Sequence, residues 1–272
     1  MTSVTLPTVD GGYWQSDQIK ELTLVHEDQG ADCASKNGVL AALPHEQRSR
    51  ILEHCQVVEL PSQHLFFEPD DRVDYAYFLC SGMASAATVM RDGRTAEAMS
   101  IGREGMCGFP ALTDGLRSQF RLCMVAGGTV LKIPGDVIRS EYRSGGALAK
   151  VLQDHLRVRL VQLAQLAACN GLHSVEQRLA RYLLVASDLL GASRLPFTHE
   201  MLAEMLGAQR TTVTNAALNL ERAGAITYKR GQIDIVDRER LAKIVCECYE
   251  MLNENYQKLT EGTETSGSAQ SN

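Results

Sequence analysis

The stretch ALAKVLQDHLRVRLVQLAQLAAC, from Ala147 to Cys169, constrains the fold more than any other part of the chain. It reads as one helix of about six turns. Leu152, Leu156, Leu160, Leu163 and Ala167 recur three or four residues apart, so they share one stripe, which Val151, Val158 and Val161 widen. A helix this long must cover that stripe. It can do so against a second copy of itself or against the domain that precedes it. Arg159 lies beside the stripe, so the seam is not a clean heptad.

What precedes the helix has a different texture. From Val57 to Ile133 short apolar runs alternate with turn residues, which favours an antiparallel sandwich or barrel. The expected strands include His64–Phe67, Tyr75–Leu79, Met83–Met90, Phe120–Val125 and Thr129–Ile133. Turns are expected at Glu68–Asp71, Ser81-Gly82, Arg91–Gly93, Asp114-Gly115 and Gly127-Gly128. Asp92-Gly93 is a hairpin signal, because both residues tolerate positive φ. A short helix over roughly Gly38–Cys55 leads into the strands. Residues 1–36 read as a flexible arm and 260–272 as a disordered tail.

The chain of 272 residues suits one large or two ordinary domains, and its 44% hydrophobic and 22% charged residues are those of a globular protein. No apolar run of about 18 residues suggests a membrane span. No basic region followed by an apolar core marks the N-terminus as a secretory signal, so a cytoplasmic location is expected. Of eight cysteines, only Cys246 and Cys248 are close, and C-x-C is not a usual zinc or redox spacing. Reduced cysteines are therefore expected, with Cys246 and Cys248 filling core on a last helix near Arg238–Leu259, and no metal site.

The region after the long helix carries the functional signal. SVEQRLARYLLVASDLLG is a second helix. Thr198 can cap a short helix over HEMLAEML, and Gly207 suits its left-handed end. Gln209-Arg210-Thr211-Thr212 starts another helix, running to about Ala223. Ala203, Gly207 and Val213 match a helix-turn-helix: a small residue where helices cross, a glycine turn and an apolar plug. Two short strands, Ala225–Tyr228 and Gln232–Ile235, flank Lys229-Arg230-Gly231 and make a wing. Gln209, Arg210, Thr211, Thr212 and Asn215 would face base edges in the major groove of double-stranded DNA. Lys229, Arg230 and Thr198 would suit phosphates. The formal net charge is −6, so any positive face is local. His199-Glu200 does not begin an H-E-x-x-H metal motif, because Ala203 stands in the second histidine position.

The stretches LPFTHEMLAEMLGAQRTTVTNAALNLERAGAI, FFEPDDRVDYAYFLCSG and VMRDGRTAEAMSIGREGMCGFPAL together resemble the CRP/FNR family of bacterial transcription regulators, over about Asn37–Leu252. The resemblance implies an α+β fold. A β-roll like a cyclic-nucleotide-binding domain (37–144) would be followed by a dimerisation helix (145–171) and a winged helix-turn-helix (172–259). It also implies a homodimer on a pseudo-palindromic operator, with RNA polymerase as a further partner.

Two departures matter. Many family members carry Glu after the arginine at the recognition-helix start and a second Arg four residues beyond it, where this chain has Thr211 and Asn215. Cyclic-nucleotide binders of this fold carry a Gly-Glu segment for the ribose and an Arg-Ser segment for the cyclic phosphate. Here Phe109 follows Gly108 where Glu is expected, and only Arg121 lies near the phosphate position. A one-residue offset on a strand would turn Arg121 to the other face. Control by cAMP is therefore not expected. The effector is unknown and no cofactor is expected.

The glycine-rich GREGMCG (Gly102–Gly108) is either a turn between strands or a loop over a different effector's pocket, with Arg103 and Glu104 at its rim and Gly105 within it. Family members with an oxygen-sensing iron–sulfur cluster use clustered N-terminal cysteines, whereas Cys33 stands alone in the arm. A second reading is a ligand-sensing or protein-interaction module with a vestigial helix-turn-helix. An enzyme has little support, since no histidine pair, G-x-S-x-G or carboxylate pair stands out.

Overall fold

Two antiparallel sheets form where the short apolar runs alternate with turns. The computed structural model describes residues 23–25, 28–113 and 117–261. The strands of the first half are β1 (Thr23–Val25), β2 (Gln56–Leu60), β3 (Leu65–Phe67), β4 (Tyr75–Leu79), β5 (Met83–Val89), β6 (Thr95–Ile101), β7 (Met106–Cys107), β8 (Arg121–Ala126) and β9 (Gly128–Pro134). One sheet has the order β1-β2-β9-β4-β7 and the other β3-β8-β5-β6. Between them lies a core that includes Phe78, Leu79, Met106, Leu131 and Ile133, each at most 1% exposed. The expected β5–β6 hairpin forms, and Asp92 Oδ1 accepts from the Arg94 backbone N–H at 3.1 Å across its turn.

Helices α1 (Asp28–Lys36), α2 (Gly38–Ala41) and α3 (His45–Leu52) precede β2. The single helix expected over Gly38–Cys55 is two, because Pro44 lacks an N–H and sits at the N-cap of α3. The segment read as a flexible arm holds β1 and α1. Residues 1–22 of that arm, the Asp114-Gly115 turn and residues 262–272 of the tail lie outside the described residues.

Asn37 fastens this entry. Its Oδ1 accepts from the N–H groups of Val39 and Leu40, and its Nδ2 donates to the carbonyls of Leu79 and Gly105. All four bonds of the buried amide reach partners, as burial requires.

The expectation of uniformly reduced cysteines is corrected here. Helix α1 brings Cys33 to Cys80 with a Cα–Cα distance of 5.2 Å, and the two form a disulfide. A sequence separation of 47 gave no local signal for it.

After β9 come α4 (Gly135–Arg143), the long helix α5 (Ala147–Leu172) and α6 (Val175–Leu190). Ser174 caps α6 with a full capping box to Gln177. Helix α5 serves two surfaces. Leu148, Leu152, His155, Val158, Arg159, Gln162 and Cys169 are buried within the chain. Leu156 and Leu160 are 45% and 68% exposed, Ala167 is exposed and Leu163 is half-buried. The stripe is therefore divided: Leu152 belongs to the core of the β domain, while its successors face outward.

The last third of the chain contains β10 (Arg194–Leu195), α7 (His199–Leu206), α8 (Arg210–Arg222), β11 (Ile226–Lys229), β12 (Gln232–Ile235), α9 (Arg238–Ile244) and α10 (Cys248–Glu261). The three short strands pair as β10-β12-β11, one more than the sequence suggested. Their core, with Leu183, Phe197, Leu202, Val213, Leu220 and Ile233, also takes in Met83, Val125 and Ala126 from the β-roll. The single final helix expected from the sequence is broken at Val245–Glu247, between α9 and α10.

Reduction of the Cys33–Cys80 bridge is expected to lower the unfolding free energy by about 2–5 kcal/mol, because it frees a long loop in the unfolded chain. Urea unfolding of oxidised and reduced protein measures this, and superimposable curves would contradict it.

Candidate nucleic-acid interface and effector cavity

Helices α7 and α8 meet at a turn the sequence specifies closely. Thr198 Oγ1 accepts from the Met201 N–H at 3.1 Å and caps α7. Gly207 ends the helix at φ 56°, a conformation that disfavours any side chain. Ala203 and Val213 are buried where the helices cross. The start of α8 is open: Gln209, Arg210, Thr211, Thr212 and Asn215 are all exposed. Gln209 is the N-cap but makes no side-chain cap bond.

Strands β11 and β12 pair Lys229 with Gln232, leaving Arg230 and Gly231 as a two-residue turn with φ of 49° and 81°. Positive φ at both residues is the tight hairpin geometry that matches strand twist. It places exposed Lys229 and Arg230 at a wing tip. A Cβ on Gly231 would lie 3.3 Å from Thr198 Cγ2, so the tip lies beside the start of α7.

Two features here were not legible in the sequence. Arg210 is held by Glu200 of α7 at 2.9 Å. His199 stacks on Tyr228 with ring centroids 4.0 Å apart, and its Nδ1 lies 3.2 Å from Thr214 Oγ1. Burial, followed by the Arg210 charge, lowers the His199 pKa. This neutral ring ties α7, α8 and the wing together.

The β-roll contains a cavity of ≈ 260 Å³ lined by Phe67, Met99, Ile101, Met106, Cys107, Gly108, Phe109, Phe120 and Leu122, with Thr113, Ser118 and Gln119 among its few polar neighbours. Among the described residues that line it, none is charged. Gly108 and Phe109 are in its wall. Gly108 has φ 91°, and a Cβ there would meet the Tyr75 carbonyl at 2.6 Å.

The other expected pocket residues are elsewhere. Phe120 and Leu122 face the cavity, so strand alternation turns Arg121 away, and it pairs with Glu68 at 2.9 Å. Arg103 is exposed, and its carbonyl accepts from the Gly38 N–H. Gly105 is buried beside Arg159 and His155. Glu104 is not at a rim: its Oε1 lies 2.6 Å from Arg159 in a pair whose side chains are 9% and 5% exposed. Within GREGMCG, Gly102–Gly105 is thus the turn between β6 and β7, and Met106, Cys107 and Gly108 line the cavity.

Arg159 is the center of a polar knot. It donates to the Ser100 carbonyl, to Gln162 Oε1, to Glu104 and to His155 Nε2 at 3.2 Å. Burial, then the Arg159 charge, lowers the His155 pKa to about 3, so the ring accepts as a neutral group. His155 also stacks on Phe109 of the cavity wall, with centroids 5.9 Å apart.

A further cluster lies where α5, α9 and α10 meet. The donor atoms of Cys169, His173, Cys246 and Cys248 all lie within 4.8 Å of one another. The sequence reading assigned Cys246 and Cys248 to core filling, because two such residues on one continuous helix would point about 200° apart. The break before α10 removes that restriction and lets both thiols turn to Cys169.

The same two-part architecture appears in comparisons with known proteins. Residues 57–144 match the family model for the cyclic nucleotide-binding domain, and residues 177–244 match the Crp-like helix-turn-helix domain. The chain belongs to the CRP/FNR family. A Mycobacterium tuberculosis CRP-like cAMP-activated global transcriptional regulator is 23% identical over 216 residues, covering 77% of this chain and 96% of the relative. The fold is also that of a CRP/FNR family regulator from Eubacterium rectale, with a TM-score of 0.62, 18% identity and coverage of 76% and 96%. The c-di-GMP responsive regulator CLP of Xanthomonas campestris gives a TM-score of 0.59, 17% identity and coverage of 71% and 99%.

This CRP/FNR chain is a transcription regulator with a helix-turn-helix DNA-binding domain, and no helix among its described residues is long and apolar enough to cross a membrane. Its Arg210–Glu200 pair is exposed, so it contributes little to stability, and Glu200 competes for the guanidinium that the sequence reading assigns to DNA. Glu200→Gln is expected to tighten binding to all DNA sequences about two- to fivefold by removing that competitor and its charge. Fluorescence anisotropy at several salt concentrations checks this, and unchanged affinity would show that Arg210 is not restrained by Glu200.

Proposed function

We propose that this CRP/FNR regulator binds a pseudo-palindromic operator as a homodimer and that cAMP does not control it. One observation carries the dimer: Leu156, Leu160, Leu163 and Ala167 lie on the outer side of α5 at spacings of four, three and four. That is the repeat by which two helices interlock side chains. A second copy would cover this row, and the two α8 helices would then enter successive major grooves about 34–36 Å apart. Arg210, Thr211, Thr212, Asn215 and Gln209 read bases, while Lys229, Arg230 and Thr198 hold phosphates.

The apolar cavity supports independence from cAMP. A cyclic phosphate buried among Phe67, Phe109, Phe120 and Leu122 would lose its water without gaining a cation, and burying an unpaired charge is costly. The lining suits an uncharged, mostly apolar effector. Its occupancy would reach α5 through Phe109 and His155 and shift the balance between two placements of the DNA-binding halves. RNA polymerase is the further partner that the family resemblance implies, and the cytoplasm is where such a regulator meets DNA.

Selection of a random double-stranded DNA pool on the ligand-free protein tests the core of this reading. A two-fold-symmetric motif is expected, and a one-sided motif would overturn the dimer. On the selected site, Arg210→Ala is expected to cost about 1–3 kcal/mol at one base position, whereas Lys229→Ala should weaken all sequences alike and flatten the salt slope by about one. Equal losses on every operator variant would remove Arg210 from the base readers. Leu160→Asp should convert the dimer to a monomer in sedimentation while leaving the folded secondary structure intact by circular dichroism, because the side chain is exposed in the single chain. A dimer that persists would place the interface elsewhere.

A further inference from the structure

The cluster at the end of α5 has no place in DNA binding or in the effector cavity, yet its geometry is specific. Cys169 and His173 are four residues apart and close one wall, with Cys169 in the last turn of α5 and His173 just past its end. Cys246 lies in the break after α9, and Cys248 begins α10. Cys169 Sγ is 3.6 Å from Cys246 Sγ, and Cys248 Sγ is 3.6 Å from His173 Nδ1.

A tetrahedral ion with zinc–sulfur bonds of about 2.3 Å places its ligand atoms roughly 3.8 Å apart. Two opposite edges of such a tetrahedron are therefore already near their closed length. We propose that Cys169, His173, Cys246 and Cys248 form a closed Cys3His site for one thiophilic divalent ion of the zinc type.

The surroundings fit a metal better than a plain core. The three cysteines form a small cluster of their own, separate from both large apolar cores. His173 turns Nδ1 to the thiols, while its Nε2 lies 3.2 Å from Glu247 Oε2. A carboxylate behind a histidine is the outer partner that orients a metal-binding imidazole. Gln165 Nε2 is 3.0 Å from Cys248 Sγ and can donate to a thiolate there. Three thiolates and one neutral imidazole around a divalent ion carry a net charge of −1. The buried Arg178 and Arg181 supply nearby positive charge, and both act electrostatically on the thiol cluster.

All four positions are filled by protein, so the site is structural and has no open place for a substrate. Its ligands come from the C-terminal end of α5, from the break between α9 and α10 and from the start of α10. The bound ion staples the C-terminal helix to the point where the long helix passes into the DNA-binding domain. That consequence rests on the regulator reading above, whereas the site itself does not.

Metal content and cobalt spectroscopy of the reduced full-length protein, prepared without a histidine tag, test the site directly. One zinc per chain is expected as isolated. Titration of chelator-stripped protein with Co2+ should give the visible absorption of tetrahedral thiolate coordination at one equivalent, lost again on adding Zn2+. The double variant Cys246→Ser, Cys248→Ser should lose the signal, and Cys55→Ser, outside the cluster, should keep it. Glu247→Gln should retain the spectrum while weakening affinity about 10- to 100-fold, a readout that misfolding of the cysteine variant would not mimic. Iron with acid-labile sulfide would overturn the single-ion assignment. Absence of both zinc and a cobalt spectrum in folded, reduced protein would overturn the site, whatever the DNA selection shows.

Discussion

The buried pair between Glu104 and Arg159 joins the two halves of the architecture. Glu104 belongs to the turn between β6 and β7, and Arg159 to the middle of α5, so their contact of 2.6 Å sets where the long helix, with Leu148 and Leu152 in the core, lies on the β-roll. Two buried charges cost several kcal/mol each to desolvate. They are tolerated here because Ser100, Gln162 and His155 take further N–H groups of the guanidinium. Removal of one partner would leave the other charged and dry. The pair therefore specifies where the helix lies more than it adds to stability.

With that face committed inward, the remaining face of α5 is free for another role. Leu148 and Leu152 complete the β-roll core, while Leu156 and Leu160 point away from it. The same helix also borders the cavity wall, since His155 stacks on Phe109. Cavity wall, polar knot and outer apolar row thus follow one another within a few turns. In the effector reading proposed above, a shift in one would reach the others, because close-packed elements transmit strain.

Much of this was legible in the sequence, for reasons that differ by element. The hairpin at Asp92-Gly93, the cap at Thr198 and the turn at Gly207 depend on one or two residues with distinctive backbone chemistry, so local reading found them. The chemistry of strand alternation also explains why Arg121 turned out to face Glu68, once Phe120 and Leu122 were seen to line the cavity. What escaped was set by distance along the chain. The Cys33–Cys80 bridge, the Glu104–Arg159 pair and the Cys169, His173, Cys246, Cys248 cluster each join segments with no periodic relation to one another. The stripe on α5 was visible, but its division between two surfaces depended on which residues the β-roll claimed first.

Helix α5 ends at Leu172 and α6 begins at Val175, with the capping box of Ser174 already stiffening the first turn of α6. Only His173 and Ser174 lie between, so about four backbone rotations, together with the packing on Met83, Val125 and Ala126, set how the DNA-binding domain meets the β-roll. A joint with so few degrees of freedom cannot translate its load; it can only pivot it. In the homodimer proposed above, the distance between two operator half-sites would be governed by the angle at this joint rather than by the flexibility of a linker.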